Sequence, residues 1–221
     1  MAIPVLIIGQ SGSGKSRATK TLPLNKTLIV NVLGKEPPFR EKFQYVMNSD
    51  NPEAIKAQMA HMGGIKRVVI DDAGYIMTDM FMRGHSGGRR GSQVYELYND
   101  IGDSFWSLID FIKRELPEDV IVYIMMHEDE SDNGKIKPKT IGRMLDEKVC
   151  LEGMFTICLR CMTKDGKHFF RTVTDSYDTA KSPEGMFESE EIPNDLALVD
   201  KCIREYYGLE EKEELNNAET E

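Results

Sequence analysis

The sequence predicts an α/β fold of the doubly wound kind, in which helices cover both faces of a mostly parallel central sheet. Continuous apolar runs, typical of strands buried on both faces, span residues 3–9, 27–33, 67–72 and 119–127. Helical patterns lie between them, over residues 16–22, 51–62 and 93–116. Strands that alternate with helices in this way indicate a parallel sheet.

The C-terminal third has a different pattern. Two strand-like stretches, FTICLRCM and HFFRTVTD, flank the turn TKDGK at residues 163–167 and predict an antiparallel hairpin that extends the sheet. A helix follows over residues 196–209 and ends near Gly208, and a charged segment completes the chain. We therefore expect one domain over residues 1–208 and an acidic, disordered tail over residues 209–221.

Composition indicates a soluble, cytoplasmic protein, with 40% hydrophobic and 29% charged residues and no apolar run near the roughly 18 residues of a membrane helix. The net charge of −9 is uneven, because residues 188–221 hold twelve acids and three bases. The remainder is balanced and can carry a locally positive face. Cys158 and Cys161 have CxxC spacing, but no second pair stands nearby, so we predict reduced, buried thiols and no metal bound by cysteine.

A phosphate-binding motif follows the first predicted strand. Residues 9–16 read GQSGSGKS and match G-x-x-x-x-G-K-[ST] in full, between a strand and a helix. Such a loop turns backbone N–H groups toward phosphate oxygens, while Lys15 reaches the β and γ phosphates and Ser16 ligates Mg²⁺. The predicted ATP contacts are Gly9, Gln10, Ser11, Gly12, Ser13, Gly14, Lys15, Ser16 and Arg17.

A second motif, which is acidic, supports this interpretation. Asp71 ends the apolar run VVIDD, where a carboxylate can hold Mg²⁺ through water. Asp72 has two interpretations, a further acid of the site or the cap of the next helix. Both motifs predict that the protein binds a nucleoside triphosphate with Mg²⁺.

The order of segments resembles the RecA-like recombinase core, in particular the core-only RecA-like ATPases of phages that occur alongside single-strand annealing proteins. The resemblance covers residues 3–187 and depends on order and spacing outside the two motifs. In that family a DNA-facing loop follows the acidic strand, then a long helix, then a strand that ends in a polar sensor. Here the resemblance implies that residues 83–93 form the first loop, His127 the sensor and residues 129–144 the second loop.

The resemblance also implies three catalytic candidates. Glu36 is nearest to the position of the family's catalytic glutamate, with Asp72 as a substitute base. His127 stands where relatives carry glutamine or asparagine more often, and the alternative for it is a structural cap. Lys181, in the segment 178–187, matches a lysine that reaches the phosphates of a neighbouring subunit. Ser182-Pro183 replaces the Asn-Arg pair found there in relatives, and a plain turn lysine is the alternative.

The two implied DNA-facing loops carry positive charge. The cationic candidates are Arg83, Arg89, Arg90, Lys135, Lys137 and Lys139. Lys and Arg attract nucleic-acid phosphates without reading sequence, so we expect a single-stranded nucleic acid as partner. The resemblance implies DNA, and RNA is the alternative. The alternatives are an exposed loop that only aids solubility, and an acidic tail that covers the basic face or binds a basic protein.

Three functions follow from these observations. The first is a DNA-dependent RecA-like ATPase of phage recombination or replication, in the host cytoplasm, assembled as a ring or filament of identical subunits. The second is a P-loop small-molecule kinase that uses the basic loop as a lid. The third is a nucleotide-binding module with little turnover that recruits an annealing or single-strand-binding protein.

Overall fold

The structure, a computed structural model, describes residues 1–85, 91–142 and 144–209. The strands in these ranges form one sheet in the order β3-β2-β4-β5-β1-β7-β8-β9, and β6 pairs with β5 outside that path. Neighbouring strands from β3 to β7 in this order are all parallel, and β8 and β9 extend the sheet by antiparallel pairing. The predicted α/β class, with its mostly parallel sheet and C-terminal hairpin, is confirmed.

The helices and strands have these bounds. The strands are β1 Ile3–Gly9, β2 Thr27–Asn31, β3 Tyr45–Asn48, β4 Arg67–Asp71, β5 Ile121–Glu130, β6 Ile136–Pro138, β7 Ile157–Lys164, β8 Lys167–Arg171 and β9 Glu191–Pro193. The α-helices are α1 Lys15–Ala18, α2 Pro52–Ala60, α3 Gly74–His85, α4 Ser92–Glu115 and α5 Leu196–Tyr207, with shorter helical turns at Thr19–Thr21, Met144–Val149 and Leu151–Met154. In the part of the chain that the structure describes, no helix is both long and apolar enough to cross a membrane.

The core has two layers, one on each face of the sheet. Successive side chains of a strand point to opposite faces. Leu6 and Ile8 of β1 therefore pack toward α2, α3 and α4, and Val5 and Ile7 pack toward α1 and α5. The same alternation continues in β4 and β5, which explains why the predicted strands were apolar at every position.

The interpretation of residues 83–93 as one open loop was wrong at both ends. Arg83 and His85 belong to α3, and Ser92 begins α4. The helix extends this far because His85 stacks on Phe81, with ring centroids 5.1 Å apart. Gly84 faces α4, and a Cβ there would lie 2.4 Å from Leu97 Cδ1, so this glycine permits close helix packing. Arg89 and Arg90 lie outside the described residues.

The interpretation of residues 129–144 as a second loop also needs correction. β5 runs past His127 to Glu130 and pairs with β6 in antiparallel register, with Asp129 opposite Lys137. The connecting turn is closed by Ser131, whose hydroxyl donates to the Lys135 carbonyl at 2.8 Å. The segment is a short β-hairpin, because pairing with the end of β5 satisfies backbone groups that a loop would leave to water.

A buried ionic cluster ties α5 to the amino ends of the strands. Asp200 of α5 accepts bonds from Arg67 Nε and Arg204 Nε, both at 2.8 Å, and these three side chains are under a tenth exposed. The Tyr123 hydroxyl donates to the other carboxylate oxygen of Asp200 at 3.1 Å. Burial raises the pKa of Tyr123, so this hydroxyl stays protonated and remains a donor.

We predict that Asp200→Ala lowers the free energy of unfolding by about 3–5 kcal/mol, because it leaves two buried guanidinium groups without their shared carboxylate. Urea denaturation measures this change. Glu205→Ala, which removes an exposed partner of Lys201 in the same helix, is the control and should have little effect. A similarly small effect of both substitutions would contradict the role given to Asp200.

Candidate nucleotide site

A cleft of about 1100 Å³ opens at the carboxyl ends of the parallel strands. In open parallel sheets this edge is where ligands bind. Seven of the predicted ATP contacts line the cleft, and they are Gln10, Ser11, Gly12, Gly14, Lys15, Ser16 and Arg17. Asp71, Asp72, Glu36, His127 and Lys139 line the same space, so the fold brings most of the predicted site residues together.

The loop has the shape that a phosphate requires. Gly14 has φ of +104°, which L side chains rarely adopt, so this position needs glycine. The Lys15 ammonium donates to the carbonyls of Gly9 at 2.7 Å and Gln10 at 2.9 Å, and so spans the loop from inside. Burial lowers the pKa of Lys15. A buried cation inside a loop of this sequence motif fits a phosphate oxyanion.

Ser16 and Asp71 meet at the position expected for a magnesium site. The Ser16 hydroxyl donates to Asp71 Oδ1 at 3.0 Å across 55 residues of sequence. Burial raises the pKa of Asp71, and the bond from Ser16 opposes that shift. A hydroxyl and a carboxylate are hard oxygen ligands of the kind that Mg²⁺ prefers, so the residues present fit the ion.

Asp72 lies beside this pair in a left-handed conformation, with φ of +58°. Its Oδ2 accepts from the Lys35 ammonium at 2.8 Å, and His127 Nε2 lies 3.5 Å from its Oδ1. Burial lowers the pKa of His127, and the charge of Lys15 lowers it further. The His127 ring is therefore a neutral polar group in the cleft at pH 7. Asp72 therefore lines the cleft and contacts both Lys35 and His127.

The hairpin formed by β7 and β8 packs against the phosphate loop and hydrogen-bonds to it. The Ser13 carbonyl accepts from the Cys161 thiol at 3.1 Å, and His168 Nδ1 lies 2.7 Å from the same oxygen. A carbonyl only accepts, so the histidine bond requires a proton on Nδ1. Burial raises the pKa of Cys161 to about 11, which keeps its thiol protonated as a donor.

Sequence reasoning missed His168 and Lys35. His168 contacts a loop 155 residues away, and no local pattern marks it as a site residue. Lys35 stands next to Glu36 in the sequence, and its charge just after a predicted strand was the one available signal.

Other predicted residues have separate placements. Glu36 is exposed on the cleft wall and makes no ion pair within the described residues. Lys181 pairs through its backbone with Cys158 and does not line the cleft of its own chain. Arg83 forms an ion pair with Asp50. Arg17 donates to Asn194 Oδ1 at 3.3 Å. Lys135 is exposed in the hairpin turn.

The fold and this cleft define a P-loop domain of the nucleotide-binding class. A protein-family model described as an AAA domain matches residues 1–183, and the chain belongs to this family. AAA domains are ATPase-type domains that typically bind their nucleotide with Mg²⁺, which agrees with the Ser16–Asp71 pair. No curated protein matched the chain.

Mg²⁺ should increase the ADP affinity of the wild-type protein, and we predict that Asp71→Asn makes this increase at least about tenfold smaller. The reason is that residues supporting a bound metal typically contribute that much to its affinity. Asparagine keeps an oxygen for Ser16 but carries no charge. Calorimetric titration with Mg²⁺ and with EDTA measures the gain. A gain that equals that of the wild type would show that Asp71 does not hold the ion.

Proposed function

We propose that the protein is a RecA-like ATPase that hydrolyses ATP in response to single-stranded DNA, in phage recombination or replication. One structural observation carries the proposal: β5 links the nucleotide cleft to a hairpin that bears lysines. His127 lies in the cleft, and three residues further on the same strand begins to turn into the hairpin that bears Lys135 and Lys137. The Lys139 amide donates to the His127 carbonyl at 2.8 Å and closes this connection.

This connection supplies a route between the two sites. A change in what His127 contacts in the cleft would shift the end of β5, and β6 would move with it through the antiparallel ladder. Lys139 itself lines the cleft, as His127 does, so the residues before and after the hairpin both contact the site. A nucleotide-dependent hairpin that carries the exposed Lys135 and the half-buried Lys137 suits a partner that presents phosphates without a fixed sequence.

The proposal includes assembly into a ring or filament. Lys181 does not line its own cleft, so a role at the phosphates requires a neighbouring copy of the chain. The acidic tail was predicted over residues 209–221, and all of it except Leu209 lies outside the described residues.

A small-molecule kinase is the second candidate, and the shape of the cleft favours it. Beyond the phosphate loop the cleft continues along Phe39, Phe43 and Val46, which leaves room for an acceptor next to the nucleotide. Phe39 and Phe43 meet edge to face with ring centroids 6.3 Å apart. The kinase predicts a phosphorylated acceptor and a rate that ignores DNA.

We expect steady-state ATP hydrolysis by the intact protein to rise when long single-stranded DNA is added, and Lys15→Ala to abolish the rate because it removes the buried cation of the loop. Phosphate release, measured with and without DNA, tests this expectation. A rate that DNA does not change would overturn the DNA-dependent proposal and favour the kinase or the recruiting module.

We predict that replacing Lys135 and Lys137 by alanine weakens DNA binding and lowers its salt dependence. Each lysine that contacts a single-strand phosphate contributes about 0.7 to the slope of log affinity against log salt, so the slope should fall by about 1.4. Fluorescence anisotropy at several salt concentrations measures the slope. Alanine at Lys164 and Lys167, an exposed pair on the other hairpin, is the matched control. Equal slopes for both double variants would exclude the β5–β6 hairpin as the contact.

A further inference from the structure

Lys35 stands on a fixed piece of backbone at the end of β2. The Asn31 side chain makes two hydrogen bonds to the Lys35 backbone. Its amide nitrogen donates to the Lys35 carbonyl at 2.7 Å, and its oxygen accepts from the Lys35 N–H at 3.2 Å. Pro37 and Pro38 follow and restrict the chain further. The side chain is nevertheless 60% exposed, so the backbone is held while the ammonium is able to change partner.

The partner of Lys35 is an acid of the site. Lys35 Nζ lies 2.8 Å from Asp72 Oδ2, and the Asp72 side chain is only 12% exposed. This bond raises the pKa of Lys35, so the ammonium keeps its charge. The ammonium also lies 5.6 Å from the centre of the Tyr75 ring, a favourable contact between a cation and an aromatic face. Lys35 is thus a charged group held at the cleft wall, beside the end of β4.

A third phosphate would enter the part of the cleft that these groups occupy. With two phosphates at the Lys15 loop, a longer chain of phosphates extends toward the ends of β4 and β5, where Asp71, Asp72 and His127 line the cleft. An additional anion there meets the Asp72 carboxylate and is repelled, unless a cation lies between them. Lys35 already bonds to Asp72, and it lines the same cleft.

We infer that Lys35 selects nucleoside triphosphates over diphosphates, by exchanging its bond to Asp72 for a bond to the third phosphate. The inference rests on the proposal that the cleft binds a nucleotide. A diphosphate does not reach this position, so the Lys35–Asp72 ion pair stays closed. A triphosphate opens it and leaves the Asp72 carboxylate next to His127, which connects along β5 to the β5–β6 hairpin.

The test measures two affinities of one variant. In the presence of Mg²⁺, Lys35→Met should bind adenylyl imidodiphosphate at least about tenfold more weakly, as expected for a lost hydrogen bond between charged groups. Its ADP affinity should change by less than about twofold. Lys35→Arg keeps a cation and should restore part of the loss. Lys66→Met is the matched control, because Lys66 pairs with Asp119 at the same 2.8 Å but at the opposite end of β4.

The outcomes distinguish failure of the Lys35 inference from failure of the nucleotide site on which it rests. A wild-type protein that binds neither nucleotide overturns the nucleotide site itself. A wild-type protein that binds both, with equal losses or no loss for Lys35→Met, overturns only the role of Lys35. Repeating the comparison in an Asp72→Asn background shows whether Lys35 acts on the phosphate or only neutralises Asp72. If the loss disappears there, the direct contact is wrong.

Discussion

The site depends on the register of three parallel strands. β1 lies between β5 and β7, and its pairing with β5 places Gly9 directly opposite His127. β4 lies on the other side of β5 and brings Asp71 to the same edge. Because parallel strands end together, the phosphate loop, the acids and the imidazole converge without any long loop to carry them. A slip of one residue in this register would turn each of these side chains to the wrong face.

The convergence also explains how an overall acidic chain builds a site for anions. Each acid at the strand ends is matched by a donor, Asp71 by the Ser16 hydroxyl and Asp72 by the Lys35 ammonium. The β7–β8 hairpin then fixes the loop through the Ser13 carbonyl. The cleft is therefore prepared before a ligand arrives, and binding requires exchanges of partner more than new folding.

The sequence was sufficient wherever one local pattern determines the structure. Strands covered on both faces have continuous apolar runs, so β1 and β4 were found within a residue of their bounds. β3 was missed because it is an edge strand with mostly exposed side chains, which leaves no such run. Charge and glycine content misidentified the basic segments, since Gly84 serves helix packing and residues 136–138 pair with β5. His168 reaches the site only through tertiary packing, which no local spacing encodes, and the only local signal for Lys35 was its charge just after a predicted strand.

The most direct test of the account is a crystal structure of the protein with Mg²⁺ and a non-hydrolysable ATP analogue. The account predicts phosphate oxygens inside the loop of residues 9–16, with the Lys15 ammonium moved from the Gly9 carbonyl onto them and the ion beside Ser16. A nucleotide bound elsewhere, or a Lys15 ammonium still bonded to the Gly9 and Gln10 carbonyls with the nucleotide in place, would contradict it.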